Sequence, residues 1–178
     1  MSSADWSPDS PQLRALQNEA ERAGREVVGG AVIVNPRGQA FVQRRAPHRW
    51  LFLECWDIAG GHVEAGETLH AALARAIGEE TGWRLRAIID LVGVFDWATE
   101  WEGRRTKRRE FAFLVAVDGD LARPRLEEEK VSEFRWLASN ELDVLRENRA
   151  PADLAVYRIV KQGLERHRCG AARPEGRD

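Results

Sequence analysis

The chain has 178 residues, with 27 Lys and Arg against 29 Asp and Glu and a formal net charge of -2. That length suits one domain with a sizeable core and is short for two, and the balanced charge excludes a global field that would draw the protein to a nucleic-acid polymer or an anionic membrane. Two cysteines, Cys55 and Cys169, are too few for a disulfide scaffold and lack metal-ligand spacing; with no signal-peptide pattern and no run of about eighteen apolar residues, a cytoplasmic protein with free thiols is expected.

Residues 1–11 are polar and rich in Ser and Pro, as in a disordered arm, and Pro11 to Arg25 has the Ala, Leu, Glu and Arg content of a short helix. Val27 to Val34 is β-branched, Asn35-Pro36-Arg37-Gly38 signals a turn, and Gln39 to Arg44 alternates, so the pair reads as a hairpin. Trp50 to Ile58 reads as a short strand feeding the glycine turn Gly60-Gly61. Thr68 can cap the helix that follows, and Gly82 can take the left-handed conformation that ends it. Ile88 to Trp97 and Arg109 to Val117 read as strands of a second hairpin, separated by the polar, basic segment Glu100 to Arg108. A charged loop from Leu121 to Ser132, a strand over Glu133 to Leu137 and a mostly helical stretch from Asn140 to Arg168, interrupted at Pro151, complete the pattern. The expected organisation is an N-terminal arm over 1–25, partly disordered or helical, a single domain over 26–168, and a disordered tail over 169–178. Strands, a helix, more strands and a terminal helix describe an α/β fold with a mixed sheet covered by helices.

The informative stretch is GHVEAGETLHAALARAIGEETGW, Gly61 to Trp83. Adjacent Glu79 and Glu80 repel each other unless a cation or strong donor neutralises them. On a helix, Ala76, Glu79 and Glu80 fall within an arc of roughly 100°. Oxygen ligands of this kind suit Mg²⁺ or Mn²⁺, which also bind phosphate oxygens. Outside its context, the same pair would read as a solvated helix end.

The order of Gly61, Glu67, Arg75, Ile77, Glu79, Glu80, Gly82 and Trp83 resembles the Nudix box. The resemblance implies an α/β/α sandwich and a divalent-metal-dependent hydrolase in which water attacks a phosphorus of a diphosphate bridge, the substrate being a nucleoside diphosphate linked to another group. It implies Glu79 and Glu80 as metal ligands and Gly60 or Gly61 as a backbone-carbonyl ligand. Arg75 would orient a glutamate through an ion pair, and Glu67 would brace the loop or join the metal. One position departs: Ala76 stands where the family has Glu, a metal ligand or base in many members. Glu128 and Glu129, before the last strand, are the candidate substitutes, with Glu64 a further one. The departure also motivates a second reading, a Nudix-fold module that binds a nucleotide or a protein without turnover.

Substrate contacts are expected from Arg44 and Arg45 on the phosphate side and from Trp97 through stacking; for each, ordinary packing or solvation is the alternative. Trp50, Trp56 and Trp101 share that stacking expectation, and Arg104 to Arg109 either grip phosphate or form a solvated loop. The partner is thus a small nucleotide-type diphosphate. A homodimer could form through the N-terminal arm or the long C-terminal helix. Cys55 ahead of Gly61-His62 gives a minor likeness to isopentenyl diphosphate isomerase of the Nudix type. No second His stands at zinc-site spacing from His62 or His70.

Overall fold

In the computed structural model, residues 5–48 and 51–171 are described. The β-branched segment Glu26–Ile33 (β1) is buried along nearly its whole length and forms an interior strand. It pairs antiparallel with Ala59–His62 (β4) on one side and parallel with Arg104–Asp118 (β6) on the other. Arg84–Trp101 (β5) pairs antiparallel with β6, closing a mixed sheet of order β4-β1-β6-β5. A second sheet of three strands has Ala40–Arg45 (β2) between Trp56–Asp57 (β3) and Val131–Leu137 (β7).

Three expectations from the sequence change here. Within the segment read as a strand from Trp50 to Ile58, only Trp56–Asp57 is strand among the described residues, and Gly60-Gly61 lie within β4 rather than in a turn. The turn at Asn35 to Gly38 forms, its Asn35 side chain accepting from Arg37 and Gln39 N–H, but the flanking strands touch only at the isolated bridge Val34 to Ala40 and diverge into different sheets. The reason is burial: Phe41 and Val42 are fully enclosed and pair with β7, and Gln43 and Arg44 with β3 as well, rather than with β1. Glu100 to Arg108 is strand rather than loop, for β5 and β6 stay paired out to Trp101 and Arg104. Only Glu102 and Gly103 turn, both with positive φ (50° and 76°), the conformation that matches strand twist in a two-residue hairpin loop.

Helices cover both faces of the four-stranded sheet. Pro11–Arg22 (α1) and Leu69–Thr81 (α2) lie on one face, where Leu13, Leu69, Leu73 and Ile77 pack with Val27, Ala31, Phe111 and Phe113. The other face holds a 3₁₀ turn at Leu142–Arg146 and Ala155–Ala171 (α3), with Leu145, Val156, Ile159 and Val160 against Val32, Val92, Ala112 and Leu114. This is the α/β/α sandwich the resemblance implies. Trp6 stands edge-on to Phe113 at 5.7 Å, so the arm is anchored from residue 6 onward. Helix α3 runs to Ala171, three residues into the expected tail 169–178, and residues 1–4, 172–178, and Arg49 and Trp50 lie outside the described residues.

Candidate active site

Helix α2 begins and ends where its sequence says it should. Thr68 Oγ1 accepts from Ala71 N–H at 3.2 Å, a cap contributing about 1 kcal/mol, and Gly82 stops the helix with φ 73°. With both ends fixed and the apolar stripe Leu69, Leu73 and Ile77 packed on the sheet, Ala76, Glu79 and Glu80 lie beside the Gly60-Gly61 segment of β4. Those residues, with Gln43, Arg45, His62, Glu64, Arg75, Lys130 and Val131, line one cavity of about 230 Å³. No Cβ fits at Gly60, where it would stand 2.5 Å from Gly29 O, and one at Gly61 would stand 3.0 Å from Ala76 Cβ. Helix and strand therefore meet through backbone and small side chains at the cavity floor.

Glu80 Oε2 accepts from Gly60 N–H at 3.1 Å and from Gln43 Nε2 at 2.6 Å. Burial nevertheless dominates and pushes its carboxyl up to about 7, the two donors opposing the shift. Arg75 braces the surrounding loop. Its Nε and one terminal nitrogen each lie 2.9 Å from Glu67 oxygens, the same terminal nitrogen donates to His62 O at 2.9 Å, and the other stands 3.4 Å from Glu79. Glu67 also accepts from Glu64 N–H at 3.0 Å. Hydrogen bonds from Arg75 hold the Glu67 carboxyl below the usual range.

The sequence candidates divide accordingly. Glu79, Glu80, Gly60, Gly61, Arg75 and Arg45 share the cavity. Glu67 stands one step behind, both oxygens engaged. Arg44 turns away to Glu133 at 2.9 Å and to Glu54 at 3.7 Å, whereas Arg45 has no ion-pair partner among the described residues and donates to Leu51 O. Glu128 and Glu129 are exposed and do not line the cavity. Trp97 belongs to an adjoining cavity of about 360 Å³ that shares Gln43, Arg45, Gly60, Gly61, His62 and Glu80 with the first. Its indole donates to Glu110 Oε2 at 3.1 Å, and the Arg108 guanidinium lies 4.9 Å over its ring. Cys55 is buried, donates to Asn148 O at 3.2 Å, and has its thiol pushed up by burial.

Three contributors escape a reading of the sequence. Gln43 sits in an apolar strand with no motif to mark it. Glu110, which heads the apolar run of β6, lines the adjoining cavity, and burial followed by the charge of Asp57 raises its carboxyl to about 8. Gln17 of α1 reaches the box loop from outside the box. For Glu110 a signal existed: a lone carboxylate on a buried strand needs a purpose.

The residues present fit a hard divalent cation. Two carboxylates on one helix face are joined by the Gln43 Oε1 oxygen, which is buried without a hydrogen-bond partner among the described residues. Mg²⁺ is bound through one or two carboxylates together with water and substrate phosphates, so this donor set suits it. No group of three or more His, Cys, Asp or Glu among the described residues is placed to hold a metal ion, so the donor set is two carboxylates with amide and backbone oxygens, and the cluster that structural zinc requires is not among them.

Residues 24–159 match the family model of the NUDIX domain, and the chain belongs to that family. It is of the Nudix pyrophosphohydrolase class. It is 28% identical over 151 residues to an RNA pyrophosphohydrolase of Roseobacter denitrificans, covering 78% of this chain and 90% of that one. An isopentenyl-diphosphate Delta-isomerase of Halorhodospira halophila is 27% identical over 107 residues, 60% of each chain. Among solved structures, a MutT NUDIX hydrolase from Burkholderia pseudomallei superposes with a TM-score of 0.61 at 26% identity, covering 78% of this chain and 97% of that one. No helix among the described residues is long and apolar enough to cross a membrane.

Proposed function

We propose that the protein is a Mg²⁺- or Mn²⁺-dependent hydrolase of a nucleoside diphosphate linked to another group. The observation that carries this reading is one cavity bringing together Glu79, Glu80, the Gly60-Gly61 backbone and the orphaned Gln43 oxygen, with Arg75 behind them. A bound divalent ion supplies charge neutralisation for the phosphate oxygens and acidifies water. Glu80 and Glu79 hold that ion, and Arg75 fixes the loop around it. Arg45, which lines both cavities, meets the phosphates. The adjoining cavity, walled by Phe52, Phe95 and Trp97, seats the linked group.

A screen of nucleoside triphosphates, nucleotide sugars, dinucleotides and 5′-triphosphorylated RNA, run in ¹⁸O-water with Mg²⁺, tests the reaction. Label incorporated into a phosphate product, with turnover abolished by chelation, is expected; the RNA arm is included because of the relative that acts on it by name. The Ala76 position favours one competing reading, binding without turnover. Ala76 is buried and lines the cavity beside Gly61, so Ala76→Glu restores a carboxylate directly to the ion's surroundings. A parent that stabilises with nucleotide and Mg²⁺ but forms no product, and gains turnover in Ala76→Glu, would establish the binding module instead.

A further inference from the structure

Helix α1 lies outside the family-matched segment, which starts at residue 24, yet it holds the box. From that helix, Gln17 Oε1 accepts from Leu69 N–H at 2.9 Å while Gln17 Nε2 donates to Glu67 O at 3.1 Å. One side chain thus grips the backbone on both sides of Thr68. The N–H of Leu69 belongs to the first residue of α2, one of the donors that a helix start leaves without an internal partner. Thr68 satisfies Ala71 N–H from within the helix; Gln17 satisfies Leu69 N–H from another element.

The grip continues into the site. Glu67, whose carbonyl Gln17 holds, engages Arg75 through both carboxylate oxygens. Arg75 in turn donates to His62 O, next to Gly61, and stands 3.4 Å from Glu79. The loop between β4 and α2 contains Gly66 at φ 81° and is mostly exposed from Glu64 to Gly66. It has little packing of its own to set the position of Glu67. The same helix is fastened elsewhere by Glu19 to Arg109 at 3.0 Å, and Arg109 is held by Asp96. That second anchor touches neither the loop nor α2.

We propose that Gln17 is a positioning residue for the metal site, fixing Glu67 and through it the Arg75 brace, so that the N-terminal helix is part of the catalytic unit. This rests on the divalent-metal reading above. Each link is a hydrogen bond to a backbone or charged group, and the loss of an outer-sphere partner lowers metal affinity or activity by roughly 10- to 100-fold. Gln17 acts at two removes, so the lower end of that range applies.

The test compares Gln17→Met, which keeps the length and removes both hydrogen bonds to the loop together with the one to Glu21 within α1, with Glu19→Ala, which loosens the same helix away from the loop. Mn²⁺ binding is measured directly by electron paramagnetic resonance, turnover is titrated against Mg²⁺, and melting temperature is recorded for each. Gln17→Met is expected to weaken Mn²⁺ binding by about 10-fold and to raise the Mg²⁺ needed for half-maximal turnover. The KM for substrate at saturating Mg²⁺ should stay near the parental value. Glu19→Ala should match the parent in both metal readouts. Parental Mn²⁺ binding in Gln17→Met overturns the proposal, and so does an equal loss in Glu19→Ala, which would make helix docking the cause. A parent that binds Mn²⁺ but turns over nothing refutes the hydrolase reading and leaves the Mn²⁺ comparison to decide the role of Gln17.

Discussion

Glu67, beside the start of α2, and Glu110, on the sheet face covered by α3, are the same side chain under opposite conditions. Glu67 meets an arginine fork and a backbone N–H, and its carboxyl is held below the ordinary range. Among the described residues Glu110 has only the Trp97 indole as a hydrogen-bond donor, and burial, followed by the charge of Asp57, raises its carboxyl to about 8. The difference teaches how this fold keeps carboxyl groups inside it. At Glu67, charge is balanced by a partner and becomes a rigid brace; at Glu110, it is avoided by keeping the proton. Glu80 stands between the two: burial raises its carboxyl to about 7, against two hydrogen-bond donors and the more distant charge of Lys130. Under the proposed hydrolase reading, a divalent ion would balance its charge.

The contrast is broken most severely at Glu80. Glu80→Gln is expected to lower kcat/KM by about 100-fold or more, since it removes a ligand rather than an outer-sphere support, and isothermal titration with Mn²⁺ should show the matching loss of affinity. Arg75→Lys tests the brace. A lysine keeps the charge but cannot engage both Glu67 oxygens and His62 O at once, so a fall in kcat of roughly 10- to 100-fold is expected, with metal affinity lowered in parallel. Equal activity in the lysine variant would show that charge alone suffices.

The third prediction concerns the α3 side, where the effect is on stability. Glu110 binds its proton up to about 8 when folded but only up to the ordinary carboxylate value of 4.5 when unfolded. Between those values the native state holds the extra proton, so stability falls as pH rises from about 4.5 to about 8. Melting temperature in the presence of a chelator should therefore decline across that window, less steeply in Glu110→Gln. Glu67 gives the opposite sign: its lowered value means that its contribution is complete above 4.5 and is lost as the solution is acidified below that. Glu67→Gln should narrow the difference from the parent at low pH.

These two sides were unequally legible from the chain. The box is consecutive, and its helix carries its own start and stop in Thr68 and Gly82, so the facing of Glu79 and Glu80 follows from local rules. The adjoining cavity is assembled from β1 to β6 with residues of α2 and α3, and its members owe their meeting largely to sheet register, Val28 beside Glu110 beside Phe95. Nothing local announces such a row. The same limit explains why β1 and β2 look like a hairpin: their turn is genuine, but the choice of partner strand is made by the burial of Phe41 and Val42. Arg44 and Arg45 are adjacent and chemically identical, and only the alternation of β2 sends one to Glu133 and the other to the cavity.

The most direct test is a crystal grown with Mn²⁺ and a non-hydrolysable pyrophosphate analogue, examined for anomalous scattering. Density is expected within ligation distance of Glu80 and against the analogue's phosphate oxygens, with Glu79 turned toward the ion. An analogue bound in the cavity with no metal, and Glu80 still held only by Gly60 N–H and Gln43, would contradict the account.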